Sequence, residues 1–145
     1  YLNNREKTKE VFSDDGWFIT GDLGRIDEDG FLFIEGRLSR FSKIGGEMVS
    51  HESVEDAVTK VLEEGGNSSN QVLCAVIGVS HDLKGEGLVL VLAKKLDPKW
   101  LSNQLREIGL SNISIPRKIV FVEQIPLLST GKLDLQKIKS LASPN

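Results

Sequence analysis

Apolar positions along this chain fall into short blocks, and their period changes from block to block. Val54, Ala57, Val58, Val61 and Leu62 recur at i, i+3, i+4, i+7 and i+8, which places them on one helical face. Ser50 suits the cap of that helix, Glu52 complements its first turn, and Gly65-Gly66 supplies a stop before the polar stretch Asn67 to Asn70. Asp97-Pro98 predicts a second helix start, a cap followed by proline at the first helical position. Leu101, Leu105 and Ile108 form its stripe, and Gly109 ends it. Asp134 caps a third, short helix lined by Leu135, Ile138 and Leu141.

The remaining apolar blocks read as strands. Residues 1–15 are polar and charged, a surface loop, and Trp17-Phe18-Ile19 is a short strand. Arg25 to Ile34 reads as a hairpin turning on the acidic Asp27-Glu28-Asp29-Gly30. Gly36-Arg37-Leu38-Ser39-Arg40 interrupts the pattern and divides the chain into 1–38 and 39–145. Beyond it, Phe41 to Ile44 is a strand followed by a Gly45-Gly46 turn. Val72 to Val79 and Leu88 to Ala93 form a hairpin-like pair joined through Lys84-Gly85-Glu86-Gly87, and Ile119 to Val122 is a last strand. The second part therefore runs β-α-β-β-α-β-α. The predicted class is α+β: a small mixed sheet with about three helices, preceded by a β-hairpin segment.

Composition narrows the function classes. With 39% apolar and 27% charged residues the chain is an ordinary globular sequence, not a disordered one. A net charge of -3, from 18 basic and 21 acidic side chains, gives no reason to expect nucleic acid as a partner. Cys74 lies in an apolar run and reads as a small core side chain. His51 is expected at a helix start and His81 in a loop; neither has a second ligand at zinc spacing, so no metal site is expected. No apolar run approaches the ~18 residues of a membrane span, and no signal peptide is visible. A chain opening at Tyr1 in polar sequence reads as a soluble fragment of something longer.

Three small constellations could carry chemistry. Lys132 follows Gly131 in Ile125-Pro126-Leu127-Leu128-Ser129-Thr130-Gly131-Lys132. A phosphate-binding loop of the form G-x-x-x-x-G-K-[ST] fails here, because Pro126 holds the first glycine position and Leu133 follows the lysine. What remains is a lysine presented on a glycine loop, able to offset charge developing on a phosphoryl or carboxylate oxygen. Asp22, in Thr20-Gly21-Asp22, could accept hydrogen bonds from a ribose diol at a strand end. Arg37 follows Gly36 in the linker. Taken singly, each reads more simply as a surface charge in a turn.

Their order changes the picture. Gly16-Trp17-Phe18-Ile19-Thr20-Gly21-Asp22-Leu23, Asp29-Gly30-Phe31, Gly36-Arg37, Lys43-Ile44-Gly45-Gly46 and Thr130-Gly131-Lys132 together resemble the C-terminal end of the adenylate-forming enzymes, a superfamily of acyl-CoA synthetases, luciferases and peptide-synthetase adenylation domains. Within it, Arg40-Phe41-Ser42-Lys43-Ile44-Gly45-Gly46-Glu47-Met48-Val49-Ser50 is similar to the acyl-[acyl-carrier-protein] synthetase part of the bacterial bifunctional 2-acylglycerophosphoethanolamine acyltransferases.

The resemblance implies that residues 1–38 end a large adenylation domain and 39–145 form a mobile lid. It implies ATP with Mg, held mainly outside this chain, formation of an acyl-AMP from a fatty acid, and transfer to the phosphopantetheine thiol of acyl carrier protein or to CoA. A separate domain would pass the acyl group to a lysophospholipid, at the cytoplasmic face of the bacterial inner membrane. By the same resemblance Asp22 and Arg37 bind the nucleotide, and Lys132 enters the site for adenylation. Lys43 serves the thioester step, with Gly45 and Gly46 beside the pantetheine tunnel. Ser39 falls at the hinge, where aspartate or lysine is usual, and Arg40 shares that place. Met48 stands where some CoA-using members carry arginine, which favours a carrier-protein thiol. The alternatives are the lid of a fatty acyl-CoA ligase and a non-catalytic α+β interaction module.

Overall fold

The computed structural model describes residues 2–64, 71–81 and 85–143. The Gly65-Gly66 stop, the Asn67 to Asn70 loop and Lys84 lie outside the described residues. The chain divides into two compact units, Tyr1–Ser39 and Arg40–Asn145.

In the first unit, the expected surface loop contains a short helix, α1 (Arg5–Glu10), because Asn4 caps it by accepting the Lys7 N–H at 2.9 Å. Trp17 to Ile19 does not form a strand. Ile19 donates to Val11 and Ser13 to Trp17, which closes the segment as a loop carrying a single bridge between Phe12 and Phe18. The predicted hairpin is present as β1 (Asp22–Ile26) and β2 (Leu32–Arg37), antiparallel. Asp27 Oδ1 holds the turn by accepting the N–H groups of Asp29 and Phe31. Asp22 opens β1 rather than ending a strand, and Gly36 and Arg37 belong to β2 rather than to a linker.

The second unit begins with a hairpin of β3 (Phe41–Ile44) and β4 (Glu47–Ser50). β4 is absent from the sequence prediction, because Glu47-Met48-Val49-Ser50 is too short to show a period and Ser50 reads as a cap. Ser50 fills both places: it ends β4, and its Oγ accepts the Ser53 N–H of α2 (His51–Glu64) at 3.3 Å. There follow β5 (Cys74–His81), β6 (Gly85–Leu92), α3 (Pro98–Glu107), β7 (Lys118–Phe121) and α4 (Leu135–Ala142). The order β5-β6-β7 makes one mixed sheet, with β5 antiparallel and β7 parallel to β6. His81 closes β5 instead of lying in a loop.

Both faces of this sheet are covered, which is why β5 and β6 read as continuous apolar runs rather than alternating ones. Cys74, Val76, Leu88, Leu90 and Leu92 face α2 and α3, joining Val54, Val58, Val61, Leu62, Leu101 and Leu105 in one core. Ala75, Ile77, Val89 and Val91 face α4 and pack with Ile125, Ile138 and Ala142 in a second. Two predicted core positions move. Ile108 caps the C-terminus of α3 and is exposed, because the helix has ended at Glu107. In α4 the buried partner of Ile138 is Ala142, one full turn on, while Leu141 is turned outward. Cys74 is buried as expected, and burial pushes its thiol up to about 11, so it remains a protonated core side chain.

Candidate functional site

Asp22 and Arg37 are facing residues in the β1–β2 register. Strand pairing thus brings together two residues fifteen apart in sequence. Arg37 Nε lies 2.7 Å from Asp22 Oδ1, and its Nη1 donates to the Thr20 carbonyl at 3.2 Å. The pair is open to solvent, with the Arg37 side chain 64% exposed, so it gives orientation rather than much stability. Around it the hairpin leaves Phe31, Leu32, Phe33 and Ile34 exposed, from both faces of β2 and its turn, along with Trp17, Phe18 and Ile19.

Ser39 is exposed and Arg40 is buried. Arg40 Nη1 donates to the Val76 carbonyl at 3.0 Å, its Nη2 pairs with Glu55 Oε2, and Glu55 Oε1 accepts the Val76 N–H at 2.6 Å. This closed set ties the first residue of the second unit to α2 and β5. Burial pushes the Glu55 carboxyl up from its usual value, against the opposing pull of Arg40 and the Val76 N–H. Glu55 was not legible as important in the sequence: it lies one residue past Val54 at the edge of the apolar stripe.

Lys43 lies on β3, exposed, and Gly45-Gly46 close the hairpin with φ of 60° and 93°. Two successive positive φ values make a two-residue turn of the kind that glycine adopts without strain. Beneath it, Ser42 and His51 are buried, with Ser42 Oγ 2.8 Å from His51 Nε2. Burial, then the Arg40 charge, lower the His51 pKa to about 4, so the ring is neutral at pH 7.

Lys132 occupies a small hairpin of its own. Leu127 and Leu133 form a bridge, the Leu128 N–H donates to the Lys132 carbonyl at 2.8 Å, and the Gly131 N–H donates to the Leu128 carbonyl at 2.9 Å. Gly131 has φ of 80° and Lys132 is exposed. Leu127 and Gly131 border a cavity of about 440 Å³ shared with Leu73, Ala93, Glu123 and Ile125. Leu73 and Ala93 flank one end of the β5–β6 ribbon, and Ala93 donates to Leu73 there. At the other end Glu86, paired with Ser80, accepts the Lys43 N–H at 2.8 Å. The eight residues from Leu73 to Ser80 make seven strand steps and span roughly 23 Å. The Lys43 and Lys132 loops are therefore presented at opposite ends of one ribbon.

Among the described residues no group of three or more His, Cys, Asp or Glu could hold a metal ion, and no helix is long and apolar enough to cross a membrane.

Residues 67–132 match the AMP-binding enzyme C-terminal domain. Over 140 residues the chain is 33% identical to 2-succinylbenzoate–CoA ligase of Listeria monocytogenes, covering 96% of this chain and 28% of that protein. Over 137 residues it is 35% identical to the long-chain-fatty-acid–CoA ligase FadD13 of Mycobacterium tuberculosis, covering 92% and 25%. ATP-bound MatB from Rhodopseudomonas palustris superposes with a TM-score of 0.71 at 33% identity, covering 97% of this chain and 27% of that one. Residues 67–132 thus resemble the C-terminal domain of AMP-binding enzymes, and nearly the whole chain is similar to part of proteins named as CoA ligases. Its α+β fold is the fold of that domain. It spans about a quarter of the length of the curated relatives it matches.

Proposed function

We propose that this chain is the mobile lid, preceded by the last hairpin of a large adenylation domain, of an enzyme that activates a fatty acid with ATP and transfers it to a thiol. A carboxylate oxygen would attack the α-phosphorus, releasing pyrophosphate. The thiol sulfur would then attack the acyl carbonyl, releasing AMP. The separation of the Lys43 and Lys132 loops along one ribbon is the observation that carries this reading. Two loops at opposite ends of one ribbon would not serve one acyl centre together, but a rotation of the lid would present them in turn. Positioning of this kind is worth several kcal/mol to each step.

In this scheme Lys132 offsets the negative charge between carboxylate and α-phosphate during adenylation. Asp22 accepts from the ribose hydroxyls, and Arg37, already bound to it, holds it for that contact and helps retain the nucleotide. ATP and Mg would be held mainly by protein outside this chain. Lys43 with Gly45 and Gly46 would face the site for the thioester step, the glycines leaving room for a pantetheine arm. The turning point falls at Leu38–Ser39, because Arg40 is already anchored in the second unit by Glu55 and Val76. The exposed apolar side chains of the first unit fit burial against the rest of that large domain, since an isolated two-stranded hairpin is marginal by itself.

For the acceptor we favour the phosphopantetheine of acyl carrier protein. Met48, exposed on β4 beside the glycine turn, offers no charge to a CoA nucleotide phosphate. The sequence resemblance extends this to reacylation of a lysophospholipid by a separate domain at the bacterial inner membrane. A CoA acceptor is the second reading, favoured by relatives that are CoA ligases by name.

Lys132→Ala in the full-length enzyme tests the lid. We expect ATP–pyrophosphate exchange to fall by about 100-fold or more, while thiol transfer from pre-formed acyl-AMP is largely kept. Normal exchange in that variant would overturn the reading.

A further inference from the structure

In the two-residue hairpin closed by Gly45-Gly46, Ile44 and Glu47 form the inner hydrogen-bonded pair, so Lys43 and Met48 are the next, non-hydrogen-bonded pair. The Lys43 N–H consequently points away from β4, out of the free edge of β3. Glu86 meets it there, its Oε2 accepting the N–H at 2.8 Å. A carboxylate accepting a backbone N–H is among the stronger hydrogen bonds available to an exposed site. Glu86 is paired with Ser80 in the β5–β6 ladder, so its backbone is fixed in the main sheet while its side chain reaches the hairpin. Beneath it the hairpin is also attached through the buried Ser42–His51 hydrogen bond. Its tip is two glycines without side chains to pack.

We propose that Glu86 is a positioning residue for the thioester step, setting Lys43 and the Gly45-Gly46 turn by accepting the Lys43 N–H. It touches no reacting atom and acts through the hairpin edge. The inference rests on the assignment of that hairpin to the thiol step.

The test compares Glu86→Ala, Glu86→Gln and Lys43→Ala in the full-length enzyme. It measures ATP–pyrophosphate exchange, thiol transfer from pre-formed acyl-AMP, and hydrogen exchange of the Lys43 amide. Glu86→Ala should slow thiol transfer about tenfold and speed Lys43 amide exchange by a similar factor, with adenylation within about twofold of the parent. Glu86→Gln keeps an acceptor oxygen and should restore most of both. Unchanged Lys43 amide exchange in Glu86→Ala would overturn the proposal. So would Glu86→Gln as impaired as Glu86→Ala, or intact thiol transfer in Glu86→Ala while Lys43→Ala is impaired. If Lys43→Ala itself leaves thiol transfer intact, the thiol-step assignment of the hairpin falls; Lys43 exchange accelerated in Glu86→Ala but not in Glu86→Gln would still uphold the contact.

Discussion

His51 is 3% exposed at the first turn of α2, with Nε2 on Ser42 Oγ and, among the described residues, no partner for Nδ1. Protonating it would place a charge in the core beside Arg40. The folded-state pKa, about 4, lies below the ordinary 6.5, so the unfolded chain takes up the proton first as pH falls. The stabilising contribution is full above pH 6.5 and is lost between there and pH 4. Glu55, raised in the folded state, works in the opposite direction, so the effect is best read as a difference between variants. Between pH 7 and pH 4.5 the wild-type chain should lose on the order of 2 kcal/mol more unfolding free energy in urea than His51→Gln. Equal losses would show that His51 does not titrate in this window. The sequence placed His51 at a helix start but gave no sign of burial, because its partner Ser42 lies across a strand and a turn.

Among the elements, β3 approaches β5 closely enough to depend on one missing side chain. A Cβ at Gly78 would stand 1.9 Å from Ser42 Oγ and 3.2 Å from Ser42 Cβ. Ser42 would have to rotate off His51 and break the buried hydrogen bond between them. Gly78→Ala should therefore lower stability by about 2 kcal/mol, measured as a shift in the urea midpoint at unchanged slope. An unshifted midpoint would mean that β3 can slide freely on β5. Nothing in the sequence sets Gly78 apart within the Val72 to Val79 run. The helices were more legible: the α2 stripe and the caps Asp97 and Asp134 are as predicted, since Asp97 accepts the Lys99 N–H at 3.0 Å and Asp134 the Lys137 N–H at 3.0 Å. Local capping chemistry needs no partner element. β4 and α1 were missed because neither is long enough for a period to show.

At the scale of the molecule, the proposed function is tested by the thiol that would receive the acyl group. Acyl carrier protein and CoA competed as acceptors for the full-length enzyme should give carrier-protein product in excess by about tenfold or more, if Met48 stands for a lost nucleotide contact. A strong CoA preference would instead place this chain functionally beside the CoA ligases it resembles. The isolated chain should show no ATP-dependent acylation in either case, because the proposed function puts most of the ATP and acyl site in protein outside this chain.

The sequence alone determined what depends on near neighbours: the helix faces, the caps, the glycine turns, and the ordered motifs from Asp22 to Lys132 that carry the resemblance to adenylate-forming enzymes. Tertiary structure decided what depends on residues far apart. It set Asp22 against Arg37 across a ladder, locked Arg40 to Glu55 and Val76 at the start of the second unit, and buried Ser42 with His51 beside Gly78. It also spaced Lys43 and Lys132 along a ribbon. The physical reason is the same throughout: period and capping are written in contacts three or four residues long, whereas the pairing of strands fixes distances between residues that the sequence keeps apart.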